Sequence, residues 1–377
     1  MYGERMSTEM VIEHEPEVGF EVVNRVAIIT LNRPRALNAL SHEMIGRLSQ
    51  VFERCRTEDA ILAVVLRGAG EKAFCAGGDI RALYESVRSD ATRDKTWLQF
   101  FIDEYRLDYA IHNSEKPVVA LMDGIAMGGG MGLAQGAALR IVTERTRMAM
   151  PETRIGMLPD VGATYFMGKM SLDMELYVGL TGAMLSGADA VACGLADICV
   201  PSPWLRDFVQ RLETLHWDGR EEAIDSLRRA FVPPANTEVY AQLEAHREQI
   251  RAHFSAADGI ESIVRSLQQD TPTDWSTATL AALTSNSPCM LEVTYHALLR
   301  GRQLALADCF RMELGIVYRA ISEGDFLEGV RALIVDKDQR PRWKPVTLAE
   351  VHAERVQHFL ASPWPGDMHP LEDLGAS

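Results

Sequence analysis

Phe74-Cys75-Ala76-Gly77-Gly78-Asp79-Ile80 and Met127-Gly128-Gly129-Gly130-Met131-Gly132 are two glycine-rich turns, each set between an apolar run and a helical pattern. The runs before them are Ile61 to Arg67 and Val118 to Met122. Both are short and apolar, as expected of strands buried on both faces. Glycine lets the backbone come close to a ligand, and a helix start offers unpaired N–H groups. Two such turns facing one another could hold a developing oxyanion. The same glycines equally suit tight turns where a strand passes close to a helix. The second turn does not fit GxGxxG with a following acidic ribose ligand, and no GxxxxGK[ST] occurs, so nucleotide binding has little support.

Outward from these turns the pattern stays α/β. Phe20 to Val23 and Val26 to Ile29 alternate about an Asn24-Arg25 turn, which predicts a β-hairpin. Ser41 is a good N-cap for a helix with Met44, Ile45, Leu48, Val51 and Phe52 on one face. A long helix is expected from about Asp94 to Asn113, a helix after the segment Gly124 to Gly136, and a strand from Leu139 to Thr143. This order suits a layered α/β body but does not separate it from a doubly wound nucleotide fold. After about Pro201 strand signals fade, and helical stretches take over at Thr237 to Phe254, Met290 to Leu306 and Cys309 to Ile321. The last residues, Ser362 to Ser377, are rich in proline and glycine and are expected to be loose.

Composition narrows the function. The chain of 377 residues is 47% hydrophobic and 24% charged, as in globular proteins, and carries a net charge of −15. That balance argues against a phosphate-tracking nucleic-acid binder, although a local basic group or helix start could still hold a small anion. No apolar run is long enough to span a membrane. The six cysteines form no CxxC pair, so they read as free thiols without a zinc or redox motif. Met1 to Pro16 lack the features of a signal or transit peptide, so the expected location is cytoplasmic.

A third segment carries acids: Met150-Pro151-Glu152-Thr153-Arg154-Ile155-Gly156-Met157-Leu158-Pro159-Asp160-Val161-Gly162. Glu152 and Asp160 stand eight residues apart among mostly apolar neighbours. Such surroundings desolvate a carboxylate and raise its pKa, which suits general acid or base work. Alternatively, Glu152 and Asp160 cap two successive helices, the second at Val161 to Met170.

Taken together, Asn38 in an Arg-Ala-Leu-Asn-Ala-Leu run, the FCAGGDI turn, MGGG and the PET segment resemble the crotonase (enoyl-CoA hydratase/isomerase) superfamily. Within it the chain is most similar to the 3-hydroxyisobutyryl-CoA hydrolase subfamily. The string Met150 to Phe166 carries that likeness, together with Phe326 to Ala332, Val335 to Asp338 and Arg342 to Pro345. The resemblance spans roughly residues 18 to 360.

The resemblance implies a crotonase-like fold of repeated ββα units over 18–205, the acyl-CoA-binding catalytic core. A helical C-terminal region over 206–361 would cover part of the site, with flexible tails at 1–17 and 362–377. It implies backbone N–H groups of Gly78 and Gly129 as the oxyanion hole, and Glu152 and Asp160 as the catalytic carboxylates. Glu104 would contact the substrate, and Ala36, Leu37 and Ala76 would line the coenzyme A path. The expected reaction is hydrolysis of a short β-hydroxyacyl-CoA, most simply 3-hydroxyisobutyryl-CoA. No metal or further cofactor is implied, since coenzyme A belongs to the substrate. A homo-oligomer is left open. Hydratases of the superfamily carry a glutamate three residues after the middle glycine of GGG, where this chain has Gly132, so hydration is disfavoured. An isomerase or a non-catalytic acyl-CoA binder are the competing readings. Asp79 is expected to stabilise its loop, Cys75 to pack, and Arg33, Arg35 and Lys116 either to meet phosphates or to remain solvated charge.

Overall fold

A computed structural model describes residues 16–89, 95–217, 222–233, 241–255, 258–365 and 368–375. The hairpin forms as expected, with β1 (Val18–Val23) and β2 (Val26–Leu31) antiparallel and Asn24 and Arg25 at positive φ. Next come α1 (His42–Thr57), β3 (Ala63–Gly68), β4 (Ala73–Cys75), α2 (Ile80–Ser89) and α3 (Thr96–His112). Then β5 (Val118–Met122), β6 (Ile125–Met127), α4 (Gly129–Gln135), β7 (Leu139–Val142) and β8 (Arg147–Ala149) complete the pattern. Ser41 caps α1, its Oγ accepting from the Met44 N–H.

Two sheets explain the repeated ββα units. A six-stranded sheet runs β1-β2-β3-β5-β7-β10, parallel except for β1, where β10 is Ile198–Cys199. A four-stranded sheet runs β4-β6-β8-β9, where β9 is Leu185–Ser186. Each of the pairs β3/β4, β5/β6 and β7/β8 thus sends its first strand to the large sheet and its second to the small one. The short strands β4 and β6 lie inside stretches whose glycines read as loop, because three residues are too few to show an alternation.

Both faces of the inner strands β2, β3 and β5 are covered, which explains their largely apolar runs. Ala27, Ile29, Val64, Leu66, Val118 and Ala120 face the main core, shared with α1, α3 and the C-terminal helices. Their neighbours Val26, Ile28, Val65, Val119 and Ile141 face a second core. That core is closed by Leu205, Phe208, Leu212, Leu227 and Phe231.

Beyond β8 the chain forms α5 (Ala163–Phe166), α6 (Leu172–Thr181) and α7 (Gly187–Ala192), then α8 (Ser202–Arg206), α9 (Phe208–Glu213) and α10 (Ala223–Phe231). The expected division between 205 and 206 falls at the end of α8, and α8 to α10 cover the outer sheet face. The helical region continues with α11 (Arg247–Phe254), α12 (Ile260–Gln269), α13 (Asp274–Ser285), α14 (Pro288–Gly301), α15 (Leu306–Ser322), α16 (Phe326–Val330) and α17 (Ala353–Leu360). The expected helix from Thr237 lies in part outside the described residues, as does the N-terminal tail before residue 16.

The C-terminal tail corrects one expectation. Where it is described it is not loose: Leu371 and Leu374 are buried in the main core, and Arg106 pairs with Asp373 at 2.7 Å. Arg311 donates to the Leu371 carbonyl, satisfying backbone that the prolines and glycines leave without a ladder. Two leucines outweigh the turn-rich composition.

Candidate active site

The two glycine turns abut. Gly77 has φ +96°, and a Cβ there would lie 3.1 Å from the Met127 carbonyl oxygen and 3.5 Å from the Gly129 nitrogen. Only glycine permits that approach. The Leu40 N–H donates to Gly77 O, and the Asp79 N–H donates to Leu40 O, so the first turn is held by the strand-like segment after the 3-10 turn Pro34–Ala36. Asp79 accepts from Arg33 and from the Ala82 N–H, a loop-fixing role as expected.

A cavity of about 370 Å³ opens where the turns meet. Ala76, Gly77 and Gly78 form one wall, and Met127, Gly128 and Gly129 the next. Glu152, Asp160, Met157 and Val161 come from the PET segment, and Phe100, Phe101 and Glu104 from α3. Leu333, Ile334 and Gln339 reach it from beyond α16, so the helical region does cover part of the cavity. Arg81 donates to the Ile334 carbonyl and ties that cover to α2.

Six of the eight residues named from sequence therefore line one cavity: Gly78, Gly129, Glu104, Glu152, Asp160 and Ala76. The other two stand outside it. Ala36 is exposed and Leu37 half-buried, but the Ala76 N–H donates to Leu37 O at 3.1 Å, which puts them beside the cavity wall. Lys116 is a correction. It is buried, and its ammonium donates to the Cys55 and Glu58 carbonyls at the end of α1, so a phosphate cannot reach it. The alternative reading of Glu152 and Asp160 as helix caps is not met: Pro151 is the N-cap of the 3-10 turn Glu152–Ile155. Gly162 is the N-cap of α5, and the carboxyl of Asp160 is turned to Tyr105 instead.

The acids share one poorly solvated space. Glu104, Asp108, Glu152 and Asp160 are all buried, and Arg154, at the exposed rim, is the basic side chain among the lining residues. Burial, then the charge of Asp160, holds the Glu152 carboxyl well above the usual range. The same two causes act on Glu104. Asp160 is the least shifted: burial pushes it up to about 6, opposed by the Tyr105 hydroxyl, which donates to it at 2.6 Å. Glu152 Oε2 and Glu104 Oε1 are buried and have no hydrogen-bond partner in the protein, and both residues line the cavity. Cys75 packs beneath the first turn, and burial raises its thiol to about 12, which leaves no thiolate at neutral pH.

Three residues of this arrangement escaped the sequence reading. Tyr105 and Asp108 lie with Glu104 on the buried face of α3, and a polar group one turn from Glu104 on an apolar face was the available signal. Glu313, on α15, accepts from the Gly162 N–H, the Thr164 N–H and the Thr164 hydroxyl, and had no local signal. Among the described residues no three metal-ligating side chains group together as a metal site.

Residues 26–360 match the enoyl-CoA hydratase/isomerase family. The chain belongs to that family. Its curated relatives include the 3-hydroxyisobutyryl-CoA hydrolase, mitochondrial, of Gallus gallus, 40% identical over 88% of this chain and 85% of that protein. The Homo sapiens protein of the same name is 35% identical over 92% and 89%. The 3-hydroxyisobutyryl-CoA hydrolase 1 of Arabidopsis thaliana is 36% identical over 94% and 93%. Within the family the chain therefore falls with the 3-hydroxyisobutyryl-CoA hydrolases. Among solved structures, a carnitinyl-CoA dehydratase from Mycobacterium thermoresistibile has a TM-score of 0.84 at 33% identity, covering 96% of this chain and 100% of that one. An enoyl-CoA hydratase from Rhodobacter sphaeroides reaches 0.82 at 33% identity, covering 92% and 98%. These two names point to water addition or removal, and the curated relatives to thioester hydrolysis.

Proposed function

We propose that this protein hydrolyses 3-hydroxyisobutyryl-CoA to 3-hydroxyisobutyrate and coenzyme A. The observation that carries the reading is the convergence of Glu152 and Asp160, both desolvated, on one cavity beside the Gly78 and Gly129 backbone. Gly132, at the position where the resemblance puts a hydratase's second glutamate, supplies no carboxylate, which favours the hydrolase names over the hydratase ones.

In this mechanism the Gly78 and Gly129 N–H groups hold the thioester oxygen as charge builds on it. Glu152 either attacks the carbonyl carbon, giving a mixed anhydride that water then opens, or activates the water directly. In both routes a C–O bond forms, the C–S bond breaks, and a proton passes to the leaving thiolate. Glu152 acts as the carboxylate in either route, and Asp160 positions the substrate hydroxyl or the water and assists proton transfer. Glu104 contacts the acyl end, while Leu37, Ala36 and Ala76 flank the path of the coenzyme. The reaction is a step of valine breakdown in this reading.

Thiol release from 3-hydroxyisobutyryl-CoA, with crotonyl-CoA as the comparison, tests the proposal. Rapid release from the hydroxyacyl thioester alone supports it. Loss of the conjugated absorbance of crotonyl-CoA without thiol release would replace it with hydration. The cytoplasmic location belongs to the same reading, although the animal relatives carry mitochondrial names, and cell fractionation decides it. Among the described residues no helix is long and apolar enough to cross a membrane. A homo-oligomer is tested by sedimentation.

A further inference from the structure

Helix α4 turns a row of glycines toward α3. A Cβ on Gly129 would lie 2.2 Å from Glu104 Oε1, one on Gly132 would lie 2.4 Å from Asp108 Oδ2, and one on Gly136 would lie 2.7 Å from the His112 nitrogen. The spacings match, since 104, 108 and 112 are successive turns of α3 while 129 and 132 lie on one face of α4 and 136 is the residue that caps its C-terminus. Two carboxylates thus sit in two notches that any side chain on α4 would fill. The Gly132 notch is also bounded by Val161, whose Cβ would be 2.8 Å from the added atom and which lines the cavity.

Asp108 has no role in the proposed mechanism and does not line the cavity. It is 2% exposed, and neither of its oxygens has a hydrogen-bond partner in the protein. The titratable groups that act on it are Glu104 on its own helix, Asp160 before α5 and Glu313 on α15, all of them acids. An ionised carboxylate without a donor or a cation is costly in such a place, so the neutral acid is the form that fits.

We propose that Asp108 is a positioning residue of the acyl site: seated in the Gly132 notch one turn behind Glu104, it is a neutral backstop that holds the Glu104 carboxyl against Gly129. Misplacing Glu104 would disturb both the acyl contact and the neighbouring Gly129 N–H. The inference rests on the acyl-site assignment above.

The test measures kcat and KM for thiol release, and Tm, in Asp108→Ala, Asp108→Asn, Gly132→Ala and the double variant Asp108→Ala with Gly132→Ala. Asp108→Ala should lower kcat roughly tenfold with a smaller change in KM, since a displaced positioning group acts mainly on the reacting geometry. Asp108→Asn, neutral and of the same shape, should restore most of that loss. Gly132→Ala should lower kcat in the parent protein and lower it less in the Asp108→Ala background, because the carboxyl oxygen 2.4 Å from the new methyl is then gone and Val161 is what still meets it. Equal damage by Asn and Ala, or full additivity of the two alanine variants, would overturn the proposal. Should Asp108→Ala fail to fold, Asp108→Ser takes its place in the cycle. If the parent protein releases no thiol, the hydrolase reading fails by itself, and the cycle is read on Tm: non-additivity supports the shared notch and additivity overturns it.

Discussion

Tyr105 Oη donates a 2.6 Å hydrogen bond to Asp160 Oδ2, joining the buried face of α3 to the loop before α5. The bond opposes the effect of burial on Asp160, and separates it from Glu152 and Glu104, which are held well above the usual carboxylate range. Asp160 is then the acid of the site that ionises most readily. A set of acids pushed apart in this way can give and take protons in one turnover.

Removing that bond tests its contribution. Tyr105→Phe should leave the fold intact, raise the Asp160 pKa further and lower kcat by about tenfold, as expected for one hydrogen bond to a charged group. A kcat equal to that of the parent protein would show that the tyrosine only packs.

Glu152→Gln and Asp160→Asn should each lower kcat by about 10²–10⁴, the usual contribution of a positioned acid or base. Circular dichroism should show both variants folded. Near-normal turnover in both would move the chemistry elsewhere in the cavity.

The pH profile follows from Asp160. If it accepts a proton in the reaction, kcat/KM declines as the pH falls through about 6. Asp160→Asn should lose that limb. A limb at the same pH in the variant would assign it to another group.

Stability has the opposite sign. The folded-state pKa of Asp160, about 6, lies above the usual carboxylate value of 3.8, so the folded protein binds that proton more tightly than the unfolded chain does. The stabilisation is full below about pH 4 and is lost as the pH rises through about 6. Asp160→Asn should therefore melt at a higher temperature than the parent protein at pH 7.5, with the gap closing toward pH 4. Equal melting temperatures at pH 7.5 would show that the charge costs the fold nothing.

Glu313 fixes the loop that carries Asp160. It accepts from the Gly162 and Thr164 N–H groups and the Thr164 hydroxyl, beside Val161 at φ +53° and Gly162 at φ +85°. Glu313→Ala leaves two buried N–H groups unpaired, at about 1–3 kcal/mol each. The expected result is a lower Tm together with lower kcat. A lower Tm with kcat unchanged would mean that the loop keeps its shape without the clamp.

Much of this was legible before any coordinates. The hairpin about Asn24-Arg25, the Ser41 cap, the buried strands and the two glycine turns follow from local rules, because turn geometry, capping and strand burial leave marks a few residues apart. Glu152 and Asp160 stood out as a carboxylate pair in an apolar segment, whereas Gly78 and Gly129 and the roles of all four came from the family resemblance of their motifs. Tertiary structure alone decided the rest. Lys116 turned inward to the end of α1, and Leu371 and Leu374 drew a proline-rich tail into the core. Tyr105 came to Asp160, Asp108 to Gly132, and Glu313 to Gly162 across 151 residues. Such pairings depend on how helices cross and where the chain returns, and burial at those crossings is what shifts a carboxylate. Spacing along the chain records neither.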